Sequence, residues 1–235
     1  MTKPNRRRSD SMLPVMPAQI ECGDAYEALL ALAMFTGEEA EDSYEVGVEW
    51  FRRVRRQATT RLKEELTQLL GGTGGRWFLL LGLVHELGGR RDLAELTDGL
   101  KHAAPREILR ALIGGRLPRL RLQTGRRLVD RAVAGDLAAA SSLAALTHPG
   151  EEETVKRLAA LGPDKVKALT VDILQRWPDE VFKADRDGWM ETVQADAEAL
   201  SPVETRTSPE PLTRRATGWM DYQGGAREHR VVRVP

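Results

Sequence analysis

The chain has 235 residues, enough to bury a sizeable core in one large domain or two smaller ones. Its 35 Lys+Arg balance its 35 Asp+Glu, so net charge exerts no pull toward nucleic acid or an anionic membrane. At 41% apolar and 30% charged residues it excludes a disordered or membrane-embedded class, and its single cysteine, Cys22, excludes an internal disulfide.

The N-terminus MTKPNRRRSDSMLPV (1–15) is basic and lacks the apolar core of a signal peptide, so it is expected to be a disordered arm. AQIEC (18–22) has the composition of a short strand. In DAYEALLALAMF, Tyr26, Leu29, Leu30, Ala33 and Met34 share one helical face, and Asp24 is placed to cap that helix. A longer helical region is expected over about 48–70, with Trp50, Phe51, Val54, Leu62, Leu66 and Leu69 apolar.

The stretch LLGGTGGRWFLLLGLVHEL (69–87) raises a choice between a phosphate loop and a helix break. A phosphate loop needs a Lys-Ser/Thr pair after its last glycine, and here Arg76 and Trp77 follow Gly75. Gly71 and Gly72 are better read as the stop of the preceding helix. The apolar run Trp77 to Val84 is interrupted by Gly82 and is too short to span a bilayer. VHELG (84–88) lacks the second histidine of a zinc-binding helix, because position 89 is glycine.

Short helices are expected at 76–87, 91–101, 105–113, 126–134, 136–147 and 151–161, punctuated by Gly and Pro. In GPDKVKALTVDILQRWPDEVF, Pro163 and Asp164 suit a helix start. Val166, Leu169, Thr170, Ile173, Leu174, Trp177 and Val181 then form one stripe, and Pro178 is expected to kink or divide the helix. Trp189, Val193, Ala197 and Leu200 mark a further helix face. After residue 200, SPVETRTSPEP reads as a hinge, and REHRVVRVP (227–235) alternates as a strand. The expected class is mainly α, a multi-helix orthogonal bundle with a short strand-forming C-terminal tail. Its expected parts are an arm at 1–15, a helical sensing or oligomerisation domain at 16–200, and a hinge and strand at 201–235.

Two features are candidate sites. Seven arginines lie between 106 and 127, and no acid lies between 108 and 129. Arg116, Arg119, Arg121, Arg126 and Arg127 are the candidate anion or nucleic-acid contacts; the competing reading is a solvated face, since no aromatic is interleaved for base stacking. Trp50, Trp77 and Trp177 are candidate pocket aromatics, against the alternative that they belong to the core. No catalytic residue, metal ligand or cofactor motif is expected. Soluble, cytoplasmic and non-enzymatic is the default, with a pocket of converging acids as the enzymatic alternative.

Five segments carry a family resemblance: SYEVGVEWFRRVR (43–55), LLLGLVHELG (79–88), AVAGDLAAASSL (132–143), VKALTVDILQRWPDEVF (166–182), and the tail RRATGWMDY with HRVVRVP. Together they resemble the N-terminal region of bacterial ArsR-type winged helix-turn-helix regulators, over residues 16 to 235. The resemblance implies a helical region that senses a small-molecule effector or forms a homodimer, ahead of a DNA-reading winged helix. That winged helix is not in this chain, and the cysteine-rich motif of metal-responsive members is absent, so no DNA-reading or metal-binding residue is carried over. The other reading is a stand-alone helical interaction protein.

Overall fold

A computed structural model describes residues 22–86, 91–147 and 149–200. The chain divides into two units, Cys22–Thr192 and a second composed of Met1–Glu21 with Val193–Pro235. Every regular element among the described residues is helical. The expected strands at 18–22 and 227–235 lie outside the described residues, apart from Cys22.

Helix α1 (Asp24–Thr36) is almost wholly buried, as its run of Ala, Leu and Met requires. Asp24 does not cap it as expected. Asp24 is its first residue, 6% exposed, and its carboxylate instead accepts from the backbone N–H of Leu93 at 2.7 Å and pairs with Arg186 at 2.6 Å.

The expected long helix over 48–70 is two helices, α2 (Gly47–Gln57) and α3 (Thr60–Leu69). Ala58 is extended between them, and the Thr59 side chain accepts from the Leu62 N–H to start α3. A capping threonine within a helical pattern was the signal for this break.

Gly71 ends α3 in the left-handed conformation, φ 59°, so the glycine stretch is a helix stop. Gly74 has a different task. A Cβ there would lie 2.1 Å from the Ala33 carbonyl oxygen, so only glycine lets the following 3-10 segment, Gly74–Leu80, press against α1. That segment carries Trp77 and Leu80 into the core and runs into α4 (Leu81–Glu86).

The next helices are α5 (Leu93–His102), capped by the Asp92 carboxylate on the Glu95 N–H, and α6 (Pro105–Leu112), opened by a first-position proline. Helix α7 (Pro118–Val133) is two helical stretches joined at a non-helical Gly125, φ 66° and ψ 163°; the second is the helix expected from 126, and the first, from Pro118, was not expected. Helices α8 (Leu137–Ala144) and α9 (Glu152–Leu161) follow, α8 packing against both α7 and α9.

The stripe expected near the C-terminal end is correct in every member. Along α10 (Pro163–Trp177), Val166, Leu169, Thr170, Ile173, Leu174 and Trp177 are all buried, and so is Val181 beyond it. This helix packs against α3, α5, α6 and α9. Pro178 does not end the helical path. The chain widens into a π-helical turn, Pro178–Phe182, and continues as α11 (Lys183–Leu200). Proline costs a helix one hydrogen bond and a clash with the preceding turn, and a wider turn relieves both.

Candidate functional site

The basic stretch separates into paired and exposed arginines. Arg110 reaches Asp130 at 2.5 Å, and Arg116 pairs with Glu86 at 2.6 Å and Glu107 at 3.7 Å. The Arg116 guanidinium holds the Glu86 carboxyl below the usual carboxylate range. Arg126 and Arg127 are exposed beyond the Gly125 kink and make no ion pair among the described residues. The side chains of Arg119 and Arg121 lie outside the described ones. Of the three candidates whose side chains are described, two are exposed with no ion pair among the described residues, and the third is tied to carboxylates.

The three candidate pocket tryptophans lie in the core. Trp77 and Trp177 are 0% exposed and Trp50 is 5% exposed. Trp177 packs on Phe35, with ring centroids 5.7 Å apart. Trp50 stands edge-on to Phe51 at 4.8 Å and lies 5.8 Å from Trp189, which also meets Phe182 at 5.7 Å. Helical spacing of aromatics here reflects core packing.

What joins these rings to charge is the start of α11. The Asp185 carboxylate accepts from the Trp50 indole at 3.0 Å and from the Arg53 guanidinium at 2.5 and 2.7 Å. Next to it, Arg186 pairs with the buried carboxylate of Asp24. Two adjacent residues thus fasten α11 to α2 and α1 immediately after the π turn.

A second charged feature is internal. Arg76 is 2% exposed, donates to the Leu112 carbonyl at 2.7 Å and pairs with Glu151 at 2.9 Å. Desolvation pushes its guanidinium below the usual range, partly offset by Glu151. This pins the 3-10 segment to the end of α6 and the start of α9.

A groove of about 460 Å³ lies between α3, the end of α5 and α10. Arg61 and Glu65 come from α3, Lys101 from α5, and Lys165, Lys167 and Asp172 from α10. Arg61 pairs with Glu65 at 2.9 Å and with Asp172 at 3.1 Å. Arg176, one turn beyond, bonds Glu65 and lies 3.2 Å from Asp172 and 3.4 Å from Glu180. Sequence reading missed this groove because its charges come from three helices and form no motif in one dimension.

Among the described residues no group of three or more His, Cys, Asp or Glu is arranged to hold a metal ion, and no helix is long and apolar enough to cross a membrane. The histidine of VHELG, His85, is exposed near the end of α4. No family model, curated protein or solved structure matches the chain.

Proposed function

We propose that this chain is a non-catalytic module of a cytoplasmic transcriptional regulator, in which helices 22–192 sense a small effector or dimerise, and DNA is read by a separate winged-helix unit. Its mechanism is conformational: a ligand with unequal affinity for two helical arrangements shifts the population between them. The observation that supports this most directly is the helical path from α10 through the π turn into α11. Its first half is core, and its second half is held by the polar contacts of Asp185 and Arg186 and by Trp189, which packs on Trp50 and Phe182. A segment fastened this way can change its attachment without unfolding the core, and π turns recur at functional sites. The resemblance of segments 43–55 and 166–182 to ArsR-type regulators agrees with this reading, because the first supplies Trp50 and Arg53 to that attachment and the second leads into α11 just before it.

The test joins the chain to a DNA-binding domain that represses a reporter only as a dimer. Repression by the fusion, together with a concentration-dependent dimer in sedimentation equilibrium, is the expected result. A monomer throughout, with no repression, would overturn the dimerisation part of the reading. For the attachment, Asp185→Asn is expected to raise amide hydrogen exchange over 183–192 while residues 166–174 stay protected. Equal exchange in both variants would show that α11 is not a separately released segment.

One observation favours the second reading, a stand-alone interaction protein. Leu122 is 88% exposed, Leu137 57% and Leu146 46%, all within or beside α7 and α8. Exposed leucines are more suited to protein contacts than to phosphate. If Leu122→Ser lowers dimerisation of the reporter fusion, these leucines belong to the self-association surface. An unaltered dimer with the same variant would favour a different protein partner.

A further inference from the structure

The groove between α3, α5 and α10 has an unequal distribution of charge along its length. Lys165, Ala168, Asp172 and Gln175 recur at intervals that keep them on one face of α10, and all four line it. Asp172 lies seven residues beyond Lys165, about 10 Å along the helix. Around Asp172 the charges are compensated: both groove carboxylates, Glu65 and Asp172, face the guanidinium groups of Arg61 and Arg176.

Around Lys165 they are not. Lys101 is paired at 2.8 Å with Asp98, which is not part of the groove lining, and its ammonium holds that carboxyl below the usual range. Lys167 donates to the carbonyls of Lys101 at 2.5 Å and Ala103 at 2.8 Å, closing the C-terminal end of α5. Lys165 is exposed and makes no ion pair among the described residues. The lining holds four cations and two carboxylates; since Lys101 is paired with Asp98, the lysine-end charge with no carboxylate partner among the described residues is that of Lys165 and Lys167. Ala168, Leu169 and Val171 add apolar wall beside it. The volume falls within the range of small-molecule sites, roughly 300–1,000 Å³.

We propose that this groove binds a small organic anion, a carboxylate or phosphate ester with a short apolar body. Its charged group meets Lys101 and Lys165, and its body lies along Ala168 and Val171. That this anion is the effector rests on the sensing role proposed above; that it binds does not. Binding also bears on the helical path, because the lysine end and the Arg61–Asp172–Arg176 cluster share α10, which runs on into the π turn.

The test is calorimetric titration of the full chain with phenyl phosphate, benzoate and inorganic phosphate at about 20 mM salt, where electrostatic contacts are least screened. One saturable site per chain is expected for phenyl phosphate or benzoate, tighter than for inorganic phosphate, since only the first two carry an apolar body. The order of phenyl phosphate and benzoate distinguishes the two kinds of charged group. Lys101→Gln/Lys165→Gln is expected to weaken binding by about tenfold or more, the scale of losing two charge-assisted contacts. Arg126→Gln/Arg127→Gln, on α7, is expected to leave it unchanged. No saturable binding, equal weakening by both double variants, or binding of a heparin fragment but none of the small anions would each overturn the proposal. Sedimentation in the same samples separates the two readings. Binding that alters neither the dimer nor exchange in α11 retains the site and removes its sensing role. No binding by a wild-type chain that is an intact dimer removes the site alone.

Discussion

Arg76 and Glu151 are an unequal pair, since Arg76 is 2% exposed and Glu151 is 30% exposed. Removing the carboxylate leaves a desolvated guanidinium with only the Leu112 carbonyl as partner, a costlier change than the loss of a surface pair. Glu151→Ala is therefore expected to lower unfolding stability by about 2–3 kcal/mol, read from the denaturant midpoint. A midpoint unchanged from wild type would mean that Arg76 finds another partner. Glu27 has the opposite sign. Burial raises its carboxyl above the usual range, so the folded state holds its proton more readily than the unfolded chain does. Stability tied to that proton is complete below the unfolded value, about 4.3, and is lost as pH rises through the folded one. Glu27→Gln is accordingly expected to stabilise the protein at pH 7, a gain that shrinks as the pH falls toward the unfolded value. A gain that persists at acid pH would show that charge is not its cause. Tyr44 is also held in its neutral form, first by burial and then by Glu39. Its contribution to stability is complete below about pH 10 and is lost above it, as unfolded tyrosine ionises first. Absorbance titration of the native chain should show a tyrosine that resists ionisation and is lost in Tyr44→Phe.

At the scale of elements, α10 is the most constrained piece. Ile173 and Leu174 are both 0% exposed, so each truncation loses transfer energy and leaves a cavity in the middle of four neighbouring helices. Ile173→Ala and Leu174→Ala are expected to cost about 2–5 kcal/mol each. Near-wild-type denaturation of both would refute the packing of this helix. Its stripe was legible because a helix of 15 residues repeats the burial period several times. The division of 48–70 into α2 and α3 was less legible. An apolar period continues across Ala58 and Thr59, and the break depends on one capping hydroxyl. In α7, Gly125 at φ 66° is the boundary the sequence indicated, and only the helical stretch before it, from Pro118, was not legible.

For the whole molecule, equal numbers of acids and bases mean that any contact with DNA is local. Among the described side chains of the basic stretch, Arg126 and Arg127 are the ones that are exposed and without an ion pair. Binding of the chain to DNA in a mobility-shift assay is expected to be weak, indifferent to sequence and lost between about 50 and 200 mM salt. Tight, sequence-specific binding at the higher salt would contradict placing the DNA reader in a separate unit. The sequence by itself determined the helical class, the glycine stop at 71 and the buried face of α10, whereas in α1 the expected Tyr26 and Leu30 are only partly buried and Ala25, Ala28 and Leu32 lie deeper. Tertiary structure decided what Asp24, Arg76, Asp185 and the groove lysines do. Their partners lie tens of residues away on other helices, and a charge reveals neither its burial nor its partner until the chain has folded. It also decided that Trp50, Trp77 and Trp177 are core. Indole rings bury in a core as readily as they line a pocket, and only the packing around them tells the two apart.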